Sequence, residues 1–324
     1  MAVIKGQTSR ALITLDAEQM PYKYYLQGAI YSAGYWWLCS AQDGLSGAGG
    51  RQSNHISKFD TKGKYLGRMT CLGSGHGSVF AMDGTTVLLG WDTAGGDRYL
   101  RKVEWTKDRK VKESEATKID CGTGTWNIAP LPLDGAWLTL RRYNNGYDEF
   151  RLRLYSDPTH ELRAMRVKQL GSGTFQGAFS FGLNVFVLYA ATKENPQQLA
   201  QYQWSDSAAM VTWKTPLSVL NITNMGRESG QPKEPEGLGV YNGRLVMGQR
   251  HGDSTRSFRM RVFDGVSRDG ITVPTVPPPV PDPGTPPPVK PWPPVPPPIK
   301  PPVNQCQPVV VPQSEPAPEP ILTA

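Results

Sequence analysis

Cysteine is scarce in this chain, and histidine is equally thin. Cys39, Cys71, Cys121 and Cys306 are spread over 324 residues with no CxxC spacing, so no zinc site is expected and all four read as reduced, structural thiols. His55, His76, His160 and His251 stand singly, without an HxH or HxxxH pair, which argues against a metal hydrolase. No run approaches the 18 or so apolar residues that span a bilayer, and residues 1–10 contain no apolar leader core. A soluble product without a secretory signal and without membrane insertion is therefore expected. Nothing matches a nucleic-acid recognition motif, so the basic balance alone does not argue for that partner.

What the chain does have is a repeat. The stretch from His76 to Cys121 holds three apolar runs and a fourth after a charged turn, each of strand length, with Asp83-Gly84 as a hairpin dipeptide between the first two. Matching first strands start at Gln27, His76, Trp126, Gln176 and Glu236, spaced 49, 50, 50 and 60 residues apart. A turn-forming residue recurs at each first reversal: Ala33-Gly34, Asp83-Gly84, Asp134-Gly135, Gly182 with Asn184, and Asn242-Gly243. Cys71 and Cys121 each lie five residues before such a start, which makes them equivalent positions rather than partners.

A four-stranded unit of about 50 residues is the mark of a propeller blade. The sequence thus predicts an all-β, five-bladed β-propeller over residues 1–270. The fifth copy lacks a fourth strand, and the apolar run RALITLDAE near the other end of the chain has no blade of its own. Pairing of residues 12–15 beside 258–263 would close the ring and remove an open edge.

From Pro274 the composition changes: 22 of the 30 prolines fall between Pro274 and Pro320. The tail, 271–324, is expected to be extended polyproline II or disordered, and residues 274–302 would span roughly 90 Å in the former case. It reads as a spacer or an anchor to other proteins, with a disordered end as the plain alternative. Its formal charge is −1, so the +7 of the whole chain comes from a body of about +8. A basic body suits a polyanion. Arg151, Arg153, Arg259 and Arg261 alternate with apolar residues in FRLRLY and FRMRVF and read as a solvated strand face.

In a propeller the first strands start on the same face as the loops joining strands two and three. The axial ring there would be Gln27, His76, Trp126, Gln176 and Glu236, with Trp91, Asp92, Arg141, Arg142, Tyr143, Tyr147, Arg250 and His251 on or beside the loops. Aromatic rings, amides, carboxylates and guanidinium groups together suit a glycan or polyol phosphate. For His76, packing and ligand binding stand level. No cofactor is expected, and a cation in the axial channel is left open. Glycosidases need two opposed carboxylates, whereas this ring offers Glu236 with Glu234 on the same segment. An enzyme is therefore the weaker reading.

The residues also resemble a family. Gly75-His76-Gly77, Gln176-Gly177 and Glu234-Pro235-Glu236-Gly237-Leu238 look like the β-propeller of phage receptor-binding proteins, teichoic-acid-biosynthesis-C-like proteins and helveticin-type bacteriocins, over roughly residues 15–268. The proline-rich tail lies outside that pattern and resembles tails on minor tail proteins of actinobacterial phages. The resemblance implies a five-bladed propeller that recognises Gram-positive wall polymer such as teichoic acid. Combined with the missing leader, it implies a virion adhesin made in the host cytoplasm and carried on a tail or fibre. Its partners would be host cell-surface glycan and, through the tail, other virion proteins, with a homo-oligomer in the particle left open. The alternatives are a wall-polysaccharide hydrolase and a structural decoration protein.

Overall fold

The computed structural model describes residues 4, 8–16, 24–42, 52–75, 80–92, 98–121, 127–128, 136–143, 146–154, 157–170, 175–181, 183–189, 197–205, 210–223, 232–251 and 257–267. All lie within one compact unit, Met1–Val276. The tail expectation, 271–324, lies outside the described residues.

Five sheets form a β-propeller. Blade 1 contains β2 (Tyr24–Ser32), β3 (Tyr35–Gln42), β4 (Ser53–Phe59) and β5 (Tyr65–Cys71). Blade 2 contains β6 (Phe80–Asp83), β7 (Thr86–Asp92), β8 (Arg98–Glu104) and β10 (Thr117–Ile119). Blade 3 contains β11 (Asn127–Ile128), β12 (Ala136–Tyr143), β13 (Tyr147–Leu154) and β14 (Glu161–Lys168). Blade 4 contains β15 (Phe175–Phe181), β16 (Asn184–Tyr189), β17 (Gln198–Gln203) and β19 (Ser218–Asn221). Blade 5 contains β20 (Pro232–Tyr241), β21 (Arg244–His251) and β22 (Ser257–Ser267), completed by β1 (Ser9–Asp16). The innermost strand β2 lies beside both β6 and β20, and β15 lies beside β20. First and last blades are thus neighbours.

The predicted closure is present. β1 runs antiparallel to β22, with Leu15 opposite Phe258, Ile13 opposite Met260 and Ser9 opposite Phe263. The Arg261 guanidinium fastens this seam by donating to the Ser9 hydroxyl at 2.9 Å and the Ser9 carbonyl at 2.8 Å. Further back, Ile4 is buried among Phe179, Phe186 and Leu199 of blade 4 and Leu245 and Met247 of blade 5. Its amide donates to Gln201 at 3.2 Å. Full burial of a side chain such as Ile4 or Leu15 contributes about 1.5–3 kcal/mol each.

Hairpin chemistry sets one end of the ring. Ala33-Gly34 (φ 50° and 80°) and Asn242-Gly243 (φ 47° and 72°) both take the left-handed region, as a two-residue turn matched to strand twist requires. In blade 2 the connecting pair is Gly84-Thr85, one residue later than expected, because Asp83 still pairs with Thr86.

Two features depart from the sequence expectation. Blades 1 and 3 have a fifth strand, lent by the next blade: β9 (Lys110–Val111) runs parallel to β5 and β18 (Val211–Trp213) parallel to β14. Strands this short have no periodicity to read, and both sit in what the sequence shows as a connection. The alternating arginines are also not a solvated face, because Arg261 is 1% exposed and Arg153 5% exposed. A blade has neighbours on both faces, so polar positions of the alternation are covered too. Arg151 is half-buried between Glu149 and Glu161.

Candidate functional site

In every blade the start of the first strand lies at the same end as the loop joining strands two and three. The register fixes this: Tyr24 opposes Gln42, Phe80 opposes Leu89, Asn127 opposes Leu140, Phe175 opposes Tyr189, and Pro232 opposes His251. This end carries the candidate site, and the two-residue turns occupy the other.

Three of the axial residues share a backbone device. Between Leu26 and Gly28, and again between Phe175 and Gly177, the register skips one residue, so Gln27 and Gln176 are the extra residues of β-bulges. In blade 5, Glu236 and Gly237 together oppose Gly248 between the pairs Pro235–Gln249 and Leu238–Met247. Bulges re-aim a side chain and cluster near functional sites. Each of these residues is followed by glycine, and the glycines bring three backbones together. A Cβ on Gly177 would lie 3.1 Å from the Gly237 Cα, and one on Gly28 would lie 3.6 Å from it. Gly237 itself has φ 78°, where a side chain is strained. Gly248 is required as well, since a Cβ there would meet the Glu236 carbonyl at 2.4 Å.

Gln27, Gln176 and Glu236 are buried, with exposures of 4%, 6% and 3%. The structure brings them together on three consecutive blades, below the loop rim rather than on it. The Glu236 carboxylate is near enough to Cys39 to help raise its thiol pKa, after burial and Cys71. Burial pushes the Cys71 thiol up to about 12 and Cys121 to about 11. The free thiols Cys39, Cys71 and Cys121 therefore stay protonated and inert.

Buried polar networks support the loop end. Asn54 at the start of β4 donates to the Ser74 hydroxyl and the Gly75 carbonyl, both at 2.7 Å. Ser74 donates to the Cys71 carbonyl at 2.9 Å, and the Gly75 amide to Gln52 at 2.8 Å. This fixes the chain as far as Gly75. Between blades 3 and 4, the fully buried Asp148 accepts from Gln169 at 2.8 Å and from the Tyr189 hydroxyl at 3.4 Å. Burial, then Tyr202 and Asp148, holds Tyr189 well above the usual phenol pKa, so it stays a donor. Sequence reading missed Asp148 and Asn54 as supports. Their signal was a polar residue at each strand start beside a loop.

Of the remaining candidates, His76 and Trp126 lie outside the described residues. Asp92, Arg141, Arg142, Tyr143, Arg250 and His251 end strands β7, β12 and β21 at the loop end, and their side chains are not described. Tyr147, half-buried, opposes Tyr143 across the same loop. Trp91 is a correction. Its ring is 1% exposed and packs with Val87 and Leu89 between blades 1 and 2, leaving no face for a sugar. The alternation Val87, Leu89, Trp91 already puts it on the core side of β7. Among the described residues no group of three or more His, Cys, Asp and Glu side chains could hold a metal.

No family model matches the chain. No curated protein matches it either. Among solved structures, the tail fibre of Staphylococcus aureus phage P68 is similar over 79% of this chain, with 13% identity and a TM-score of 0.60. This chain spans 53% of that fibre. An α-L-arabinofuranosidase from Clostridium thermocellum is similar over 70% of this chain and 82% of its own, with 8% identity and a TM-score of 0.42. The β-propeller domain of the Trilobed protease from Pyrococcus furiosus covers 75% of this chain and 83% of its own, with 10% identity and a TM-score of 0.39. At such identities the likeness to the tail fibre is one of fold.

Proposed function

We infer that this protein is a virion adhesin, a non-enzymatic propeller of a phage tail or fibre whose loop end binds host cell-surface glycan or an anionic wall polymer such as teichoic acid. The observation that carries this reading is the likeness of fold to a phage tail fibre over 79% of the chain. The geometry supports it. The described first-strand starts and second-strand ends of all five blades lie at one end of the ring, and β12 and β21 end there with Arg141, Arg142 and Tyr143 and with Arg250 and His251. Guanidinium groups pair with phosphate and rings stack on sugars. The buried ring members described are two amides and one carboxylate, without the two opposed carboxylates that cleavage of a glycosidic bond requires. The proline-rich tail then acts as the strap to other virion proteins.

The test is location and blocking together. Antibodies raised against residues 1–270 should label the tail of intact virions and prevent their adsorption to host cells. Labelling confined to the head, or adsorption that proceeds normally with antibody bound, would overturn the reading.

A further inference from the structure

The loop rim does not account for where the chain's charge lies. Residues 53–71 and 98–121, the outer strands of blades 1 and 2 with their connection, hold 12 Lys and Arg against 6 Asp and Glu, a net +6 in a chain of +7. In blade 3, by contrast, Arg151 and Arg166 are spent on buried Glu149. On blades 1 and 2 it is the acids that are spent. The Asp60 carboxylate accepts from the Lys62 and Lys64 amides at 2.9 and 2.8 Å, and Glu104 from the Thr85 and Thr86 hydroxyls. Glu113 pairs with Arg101 and Glu115 with Arg109. The ammonium groups of Lys58, Lys107, Lys110 and Lys118 have no hydrogen bond or ion pair among the described residues.

Three of these lysines are held rather than free to swing. The Lys58 ammonium sits 3.6 Å from the Tyr35 ring centre and 5.2 and 5.3 Å from those of Trp37 and Trp105, whose indoles donate to the Ser32 and Ile56 carbonyls. Lys118 lies 4.2 Å over Tyr99. The Lys107 stem crosses Gly67, the residue paired with Lys58, where a Cβ would meet its Cγ at 2.8 Å. Lys107, Lys110 and Lys118 are exposed. One connection, from the end of β8 through β9 to β10, carries these three along the outermost strands of two blades.

We propose that the outer wall of blades 1 and 2 is a second binding surface, for a linear phosphate polymer without bases. Lysines act as compact point charges on phosphate, whereas planar carboxylates favour the guanidinium fork, and Arg101 and Arg109 already have their carboxylates. A polymer with bases needs open aromatic faces for stacking, but Tyr35, Trp37, Trp105 and Tyr99 are taken up by lysines. Side chains fixed before binding lose less freedom on binding. The surface is separate from the loop end, so the proposal holds whatever that end binds.

The experiment is calorimetric titration of the full chain carrying Arg142→Ala and Arg250→Ala, which removes the rim arginines, with linear inorganic polyphosphate. Polyphosphate should bind, with an affinity that falls as salt rises from about 50 to 200 mM. Adding Lys107→Glu, Lys110→Glu and Lys118→Glu should weaken binding by about tenfold or more, with the melting midpoint unchanged. Should that variant melt early, Lys107→Gln with Lys110→Gln should still weaken binding measurably. Poly-glutamate and oligothymidylate of equal charge should each bind more weakly than polyphosphate. Absence of polyphosphate binding, undiminished binding by the folded lysine variants, or equal or tighter binding of either rival polymer overturns the proposal. Because cell walls are not used, none of these results bears on the adhesin reading.

Discussion

Blades 1 and 3 hold equivalent places in the ring yet are filled in opposite ways. Each receives a short parallel strand from the next blade along its outer edge. Inside blade 1, His55 pairs its Nδ1 with the Thr70 hydroxyl at 2.9 Å, among buried serines and thiols. In blade 3 the corresponding strands carry charge: buried Glu149 accepts from Arg151 at 2.6 Å and from Arg166 at 3.2 Å, and Arg151 also pairs with Glu161. Position in the ring decides what is buried, and sequence decides whether charge or neutral pairing satisfies it. The two blades should therefore respond differently to mutation and to acid.

The largest effect is expected from neither blade but from the edge of blade 5 that β1 closes. Blade 5 is completed by the eight-residue strand β1 rather than by a short loan. Deleting residues 1–16 removes that strand together with Ile4, and exposes an open edge. We expect loss of the cooperative melting transition and aggregation. A deletion variant that melts like the parent would show the seam to be dispensable.

In blade 3, Glu149→Ala leaves Arg151 and Arg166 without their shared carboxylate. Losing a hydrogen bond to a charged group costs about 1.5–3 kcal/mol, and the lower part of that range is expected because Arg151 keeps Glu161 and both arginines reach solvent, at 26% and 36% exposed. The denaturant midpoint measures this. A shift as small as that of a surface substitution would mean that the network stabilises nothing.

Blade 1 should respond to acid instead. Burial, with Arg68 nearby, lowers His55 from 6.5 to about 4. Between those values the unfolded chain binds a proton that the folded chain does not. Stability is therefore complete above about pH 6.5 and falls as pH drops towards 4, by roughly 3 kcal/mol in all. His55→Asn should flatten that slope in a series of urea melts, and an unchanged slope would assign it to other groups.

The lent strands give the finest contrast. Val111 of β9 is buried and its carbonyl accepts from the Leu72 amide at 2.8 Å, whereas Thr212 of β18 is exposed. Val111→Ala should cost about 1–2 kcal/mol, and Thr212→Ala should stay within about 0.5 kcal/mol. Equal effects would mean that the loans are held by backbone pairing alone.

Legibility in the sequence followed how local each feature is. The hairpins at Ala33-Gly34 and Asn242-Gly243 are set by adjacent residues, so the repeat, the blade number and the closure by β1 could all be read. Gln27, Gln176 and Glu236 were readable as aligned strand starts, and the glycine after each marks the bulge. Trp91 was misread because a loop neighbour outweighed its place in the alternation with Val87 and Leu89. Arg153 and Arg261 were misread for a different reason. Alternation implies a wet face only in a sheet with one covered side, and nothing in FRLRLY or FRMRVF shows that both sides are covered. The loans β9 and β18 and the Asp148 network depend on residues of two blades meeting, which one segment of sequence does not show.

The most direct measurement is binding of the full chain to a panel of purified Gram-positive cell walls across a salt series, with Arg142→Ala, Arg250→Ala and Tyr143→Ala beside the parent. Exposed charges are screened over about 8 Å at physiological ionic strength. We expect the parent to bind, the arginine variants to lose affinity mainly at low salt, and Tyr143→Ala to lose it at every salt concentration, with no sugar or phosphate released. Equal binding by all four proteins, or release of soluble sugar by the parent, would contradict an adhesin working through its loop end.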